Sequence, residues 1–508
     1  MSEQNNTQIN DLDLLDIESS EEDQLASKVE SFYKLDSIIK QQLSYHWTRN
    51  HMMLDGSQWL SYDRSADGNG EWKRLEPSSA NEYIPRPVTN LMFDIYQTLK
   101  SYLLKNKPRS TVRANTQSET DRNAAKIAEL ITETNWERLG EDTNYEYAAS
   151  CVVTYGTVFK KDYWDMSYLS VARVPVMVDM PTIDPMTGQQ TGSQQVEQRD
   201  EAGNVVTEDI PIGDAATAIV EPFRLVLDPL ANSLNDIRWI MEYSIRPLNW
   251  IKENYSQEGN GFTGRVEEVK EEKALSTSMR RFYRLKSSSG VKGSSPFPGV
   301  NSTVGATDVM INNAAVVKEY YERPTHKYPK GRLIVVANNI PLYIGNSPYS
   351  GNEQGDWHPY SECRWEILPG RLWGKSPLDE IAELQRHINS IDSIIMLTRK
   401  TMAVPQKLIP QGSAIPPGYW SGRPGLQVPY RATGGEKPEI IPGVGVDQQV
   451  FQERQQKVEE MKTISGAIDI LRGDRPPGVT AASALSLLFE VGSGKLFPIL
   501  DRWKRFIE

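Results

Sequence analysis

The clearest periodicity in the chain lies between Pro369 and Thr480. Ser376 stands where an N-cap belongs, Pro377 at the first helical position, and Asp379 three residues after the cap, in the capping-box position. Apolar residues then recur at Leu378, Ile381, Leu384, Ile388, Ile391 and Ile395, in steps of three and four that put one stripe on one helical face. Nothing interrupts before Pro405, so the spacing predicts a rod of roughly 40 Å. After a proline- and glycine-rich excursion, a second helix is predicted from Asp447 to near Gly473, with Val450, Phe451, Val458, Met461, Ile464 and Ile468 as its apolar positions. Its remaining surface (Gln452, Glu453, Arg454, Gln455, Gln456, Lys457, Glu459, Lys462) is polar, as in a helix that bridges solvent or packs on copies of itself. Gly473-Asp474-Arg475-Pro476-Pro477-Gly478 then makes a loop stiff at its prolines, and Thr480 caps a helix that opens with Ala481-Ala482-Ser483-Ala484. Two rods joined by a compact excursion form a column.

Upstream, a helical pattern runs from Leu25 to Trp59, a Gly/Asn/Ser loop from Tyr62 to Glu82, and a helix from Pro87 to Leu104. Glu119–Leu139 is predicted helical with Ala124, Ile127, Ala128 and Ile131 inward, and Thr143–Val158 is a further helix leading into a strand. Tyr168–Met180 and Ala218–Leu227 have strand character, and the Gln/Gly/Thr/Asp-rich stretch between them, 181–214, reads as an extended hairpin insertion. A short helix is expected at Pro247–Tyr255, an exposed loop over 256–313, and a strand meander at Val316–Tyr321, Arg332–Asn338 and Ile340–Ile344, with Pro329-Lys330-Gly331 as a turn. Helices segregated from a meander define an α+β chain.

Length and charge refine this picture. At 508 residues the chain has room for several domains, and 38% hydrophobic with 24% charged residues suits a water-exposed globular protein. No window approaches the length of a membrane span, so no membrane partner is expected. Two cysteines, Cys151 and Cys363, offer no disulfide framework. The net charge of −11 is concentrated: Met1–Glu30 holds nine acids against one lysine, which predicts an acidic disordered tail over 1–24. Arg399–Val446 holds six basic residues against two acids. Global acidity excludes tight nonspecific DNA binding by the whole surface and leaves room for a local basic ring.

No catalytic or metal constellation emerges. Gly370-Arg371-Leu372-Trp373-Gly374-Lys375-Ser376 approaches a phosphate-binding loop, but three residues separate the glycines where four are needed for the backbone to wrap phosphates. A helix-leading turn is the plainer reading. The five histidines lack metal spacing, and no Gly-x-Ser-x-Gly elbow occurs. No cofactor is expected. Met279-Arg280-Arg281-Phe282-Tyr283-Arg284 interleaves basic and aromatic side chains, which suits either nucleic acid or a solvated strand flank.

Several short motifs occur in a fixed order. They are His46-Trp47-Thr48-Arg49-Asn50, Asp55-Gly56-Ser57-Gln58-Trp59, Arg86-Pro87-Val88-Thr89-Asn90, Asn106-Lys107-Pro108-Arg109-Ser110, and Tyr155-Gly156 before Lys160-Lys161-Asp162-Tyr163-Trp164. Val220-Glu221-Pro222-Phe223, Leu227-Asp228-Pro229 and Val317–Pro324 follow. Pro369–Pro377 comes next, with Leu384-Gln385-Arg386 and Asn389 beyond it. In this order they resemble the portal proteins, or head-to-tail connectors, of short-tailed, podovirus-type phages, over most of residues 45–508. The resemblance implies a portal-type fold, with a mixed α/β wing over 25–375, stem helices over 376–402 and 447–472, a small clip over 403–446, a tunnel loop over 473–479, and a wing or channel helix over 480–508 leading to an absent or truncated crown. It implies a non-enzymatic homo-oligomeric ring, usually of twelve subunits, at one capsid vertex of the virion, assembled in the host cytoplasm. Its partners would be double-stranded DNA passing through the channel during packaging and ejection, the terminase motor, a head–tail adaptor and the major capsid protein. Asp474, Arg475, Pro476 and Pro477 would then face the DNA, and Lys407, Arg423, Arg431 and Lys437 would meet adaptor or motor. Another self-associating virion ring component, of tail or baseplate, and a P-loop ATPase are the alternative readings.

Overall fold

Apart from isolated positions, the computed structural model describes residues 21–63, 71–75, 84–105, 112–114, 118–165, 171–183, 190–197, 207–272, 313–349, 357–401, 406–408, 439–441, 445–466 and 494–507. It opens with α1 (Glu21–Ile39) and α2 (Gln41–Leu54), where the sequence pattern suggested one continuous helix. The joint is Lys40. Its side chain is buried, its Nζ lies 2.9 Å from Asp36 Oδ1 and donates to Leu225 O, and the rings of Tyr243 and Trp373 flank it. A buried ammonium requires such partners.

The stretch expected as a loop holds a hairpin instead, β1 (Leu60–Asp63) and β2 (Glu71–Arg74). Aromatic packing explains it: Tyr62 and Trp72 close on Tyr45 at centroid distances of 4.7 Å each, and Trp72 Nε1 donates to Tyr45 O. Next come α3 (Leu91–Lys105), α4 (Glu119–Arg138) and α5 (Glu141–Tyr155). Of these α5 is the buried centre, lined by Tyr145, Ala148, Ala149, Val152 and Val153. The inward face expected for α4 is absent: Ser118 caps the helix, yet none of its residues is buried, and Ile127 and Ile131 are more than half exposed. Periodicity marks an apolar face without saying what covers it.

The chain then enters β3 (Thr157–Asp165), β4 (Val171–Pro175), β5 (Met177–Ile183), β6 (Gln190–Glu197), β7 (Thr207–Pro211) and β8 (Asp214–Val220). β5 pairs with β6 and β4 with β7, so the expected hairpin insertion is a two-part antiparallel ribbon. The strand expected from Ala218 to Leu227 is split by a 3₁₀ turn at Pro222–Arg224, after which β9 (Leu225–Leu227) joins a different sheet. Then follow β10 (Trp239–Pro247), α6 (Leu248–Tyr255), β11 (Glu258–Gly259) and β12 (Phe262–Thr263), with a 3₁₀ turn at Arg265–Glu268 that buries Val266. The start of the expected 256–313 loop is therefore structured, and residues 273–312 lie outside the described residues. The meander is present as β13 (Ala314–Glu322), β14 (Arg332–Ala337) and β15 (Ile340–Asn346), followed by β16 (Tyr360–Arg364). The seven-stranded sheet is antiparallel in order β11-β12-β15-β14-β13-β10-β9, and β16-β3-β8 form a second sheet. α1 covers the larger sheet through Phe32 stacked on Trp239 at 4.4 Å and Tyr33 edge-on to Tyr243.

The column follows: α7 (Pro377–Thr401), β17 (Gln406–Leu408), β18 (Glu439–Ile441) and α8 (Gln448–Ser465), then α9 (Phe497–Ile507). α8 closes at Gly466 in the left-handed region, short of the expected Gly473. Among the described residues no helix is long and apolar enough to cross a membrane. Fold class is thus mixed helix and sheet, with helices and antiparallel strands segregated as read from the sequence.

The two sheets are joined by buried charge. Lys161 of β3 reaches Glu242 of β10 at 2.9 Å and Glu319 of β13 at 2.6 Å, Tyr360 donates to Glu242 at 2.9 Å, and Arg224 also donates to Glu242. Burial alone would raise the Glu242 pKa, but Lys161 and Arg224 overcome it and hold the carboxyl at about 2. A depressed carboxylate contributes stability that is complete above its unfolded pKa and is lost as pH falls through the folded one. Wild-type stability should therefore fall between about pH 4.5 and pH 2. Glu242→Gln should cost roughly 2 kcal/mol at neutral pH, less than a wholly orphaned buried charge because Glu319 still faces Lys161. It should also flatten the acid limb; urea denaturation across that pH range checks both effects.

Candidate functional site

The column is built with partners from distant parts of the chain. At its base, Ser376 Oγ accepts from Leu378 N at 3.1 Å and donates to Val153 O at 2.6 Å, while Asp379 accepts from Ser376 N at 3.3 Å. The capping box read from the sequence is present. Asp379 does more than cap: its Oδ1 also accepts from Asn50 Nδ2 at 2.9 Å and Arg49 Nη2 at 3.2 Å. Asn50 donates on to Thr154 O at 3.1 Å, and Arg49 lies 3.5 Å from Glu383. His46 Nδ1 lies 3.6 Å from the same carboxylate. Burial depresses the His46 pKa, and the charges of Arg49 and Lys375 add to that against the pull of Asp379. The imidazole is therefore neutral at pH 7, and Arg49 is the cation of the cluster.

Backbone contact locks the same base. Gly156, at φ +81°, lies so close to the 374–376 turn that a Cβ there would meet Ser376 N at 2.5 Å, and a Cβ on Gly374 would meet Gly156 O at 2.4 Å. Gly374 N donates to Thr157 Oγ1 at 2.8 Å and Lys375 N to Glu366 O at 3.0 Å. These N–H groups are the ones a phosphate loop would aim at a ligand, and here they are used inside the protein. Ahead of this turn, β16 ends at Arg364 and a single bridge joins Glu366 to Lys375.

One turn further along, a second polar cluster fixes the flank of α7. Buried Gln385 accepts from Met92 N at 3.0 Å and donates to Thr89 O at 2.7 Å and Asn389 Oδ1 at 3.0 Å. Asn389 donates to Gln58 Oε1 at 2.7 Å, and Gln58 donates to Asn90 Oδ1 at 2.8 Å. Trp59 Nε1 caps the arrangement on Pro87 O at 2.9 Å. The motifs around His46, Gln58, Thr89, Gly156, Ser376 and Gln385 thus converge on the lower half of one helix. Satisfied buried amide networks specify a unique register.

Toward the far end, α8 is held on α7 by Arg454, whose Nε and Nη2 contact Asp392 at 2.5 and 3.2 Å, and by His387 Nε2 3.0 Å from Glu453 Oε1. Thr89 also donates to Asp392, at 3.1 Å. Among the described residues of α8 only Met461 and Ser465 are buried, in keeping with its polar sequence. Gln406 pairs with Ile441 and Leu408 with Glu439, so the excursion returns beside its start and α7 and α8 make a closed helical hairpin. Ile394, Met396, Phe451 and Ile464 on this hairpin stay about half exposed.

Of the residues singled out in the sequence, Lys407 sits in β17 opposite Ile440. Arg423, Arg431 and Lys437 lie outside the described residues, as do Asp474, Arg475, Pro476, Pro477 and the segment Met279–Arg284. Cys151 and Cys363 are both buried, and no disulfide joins them. The roles of Asp379 beyond capping, of Arg454 and of the Gln385–Asn389 pair were not anticipated; the signal available was an amide at i and i+4 inside an apolar stripe. Among the described residues no cluster of three or more His, Cys, Asp or Glu side chains could hold a metal ion. No protein-family model matches the chain, and comparison with curated proteins returned no match.

Gly156→Ala should be costly twice over, through the left-handed backbone and through the clash with the 374–376 turn, by roughly 3 kcal/mol. Ser376→Ala should cost about 1–2 kcal/mol through the lost cap and the unpaired Val153 carbonyl. Thermal denaturation of both variants should rank Gly156→Ala as the less stable.

Proposed function

We propose that the chain is a portal protein, the ring subunit through which double-stranded DNA enters and leaves a phage capsid. The carrying observation is the helical hairpin: α7 rooted in a mixed α/β body, α8 tied to it, and β17–β18 closing the excursion between them. This is the order of wing, stem, clip and stem that the motif resemblance implies. An α7 of 25 residues gives a rod of about 38 Å. The polar surface of α8 supports the reading further, since a stem stands between channel and neighbouring subunits and has little core to enter.

In this assignment residues 25–375 are the wing, 376–402 and 447–472 the stem, 403–446 the clip and 473–479 the tunnel loop. Neighbouring hairpins would contact each other through Phe451, Ile464, Ile394 and Met396. Arg475 in the tunnel loop faces the duplex, with Asp474 beside it, so that few phosphates are neutralised at once and the DNA slides rather than binds. The clip residues Lys407, Arg423, Arg431 and Lys437 meet terminase or head–tail adaptor. A tail or baseplate ring would use the same hairpin without DNA passage. The ATPase reading loses ground because the Gly370–Ser376 turn spends its backbone donors internally.

Negative-stain micrographs of the purified chain test the proposal. Closed rings of about twelve subunits with an open centre are expected, and particles without a central opening under all solution conditions would contradict it.

A further inference from the structure

The helix α4 carries an exposed apolar stripe. Ile127, Leu130 and Ile131 are 58%, 64% and 54% exposed, and no residue of this 20-residue helix is buried. Among the described residues, its ties to the rest of the chain lie near its C-terminal end. There Trp136 stacks on Tyr145 at 4.8 Å and donates to Asp142 at 2.9 Å, and Arg138 pairs with Asp214 at 2.8 Å. Among the described residues none covers the apolar stripe of Ile127, Leu130 and Ile131.

Charge beside that stripe indicates what covers it. Arg122 and Lys126 fall in the first half, Glu129, Glu133 and Glu137 in the second, and at 100° per residue all five lie on one side of the helix, next to Leu130, with Glu119 on the same side at the helix start. Spacings of i and i+4 place Arg122 over Lys126, Glu129 over Glu133 and Glu133 over Glu137, each a repulsive pair in an isolated helix. Among the described residues none of these five side chains makes an ion pair, although other surface charges of the chain do. Lys126 and Glu133, which make no ion pair among the described residues, are placed to meet across a reversed copy of the same helix.

We propose that α4 pairs antiparallel with α4 of a second copy of this chain, about a two-fold axis near Glu129. With Ile127 and Thr134 at heptad positions a and Leu130 at d, Lys126 and Glu133 both occupy g. Antiparallel pairing sets g against g, so Lys126 of each copy lies beside Glu133 of the other, and Ile127 packs against Leu130 across the axis. Such a contact is isologous, whereas neighbours in a cyclic ring are related by heterologous contacts. The α4 pair therefore joins two free chains, or two rings face to face, and is independent of the portal reading. One helix pair buries less than a standard interface of about 1,200–2,000 Å², which makes the association weak and concentration-dependent.

Sedimentation velocity of the full chain over a concentration series at low salt tests it. Every species should double in mass as concentration rises, and Leu130→Ser should abolish the doubling. Lys126→Glu and Glu133→Lys alone should each raise the dissociation constant about tenfold, and the double variant K126E/E133K should return it to near the wild-type value, a rescue that a folding defect does not produce. Masses independent of concentration, doubling that survives Leu130→Ser, or a double variant no better than the singles would overturn the proposal. Ring closure in micrographs reports on the portal reading and mass doubling on α4, so either can fail without the other.

Discussion

Asp379 is the point on which the placement of α7 turns. One carboxylate at the first turn of a helix accepts from Ser376 N, Asn50 Nδ2 and Arg49 Nη2, so it closes the helix start, neutralises a buried guanidinium and tethers α2 at once. The helix dipole favours an anion at that position, and burial of Arg49 requires one. Because the partners come from residues more than 300 positions apart, α7 cannot tilt or slide without exposing a buried charge. The Gly156–Gly374 contact beside it admits no side chain, so the base is fixed sterically as well as electrostatically.

From that base the column changes character along its length. The lower part of α7 is embedded through Leu378, Ile381, Gln385, Ile388 and Asn389, whereas toward the other end Ile394, Met396, Arg399 and Lys400 reach the surface. Apolar burial and satisfied amides give way to the Arg454–Asp392 pair as the hold between helices. A rod rigidly rooted at one end and sparsely covered at the other is suited to side-by-side packing with copies of itself, which is how the portal reading uses it. The Lys161–Glu242–Glu319 cluster does comparable work in the body, where it locks the two sheets in one orientation.

Much of this was legible in the sequence because it depends on local rules. The N-cap at Ser376, the stripe along α7, the Asp447 cap of α8 and the three-strand meander are all set by residues a few positions apart, and each is present. What escaped depends on distant partners. The boundary between α1 and α2 falls at Lys40, whose ammonium meets Leu225 O and Asp36, and β1–β2 forms because Tyr45 offers a ring for Tyr62 and Trp72. The stripe on α4 was read correctly as apolar and wrongly as inward, since periodicity contains no information on whether the covering surface belongs to the same chain. At the candidate site the ordered motifs were visible, but their convergence on one helix required the fold. The channel residues Asp474–Pro477 and most clip residues stand on the resemblance alone.

The central claim, that the α7–α8 hairpin forms the wall of a channel, is tested most directly by a cryo-electron microscopy map of the assembled chain. The account predicts a cyclic ring in which each α7–α8 pair stands around the central opening, with β17–β18 at one end of the channel and residues 473–479 facing its axis. A map in which the hairpins point away from the axis, or in which the chains assemble without a central opening, would contradict it.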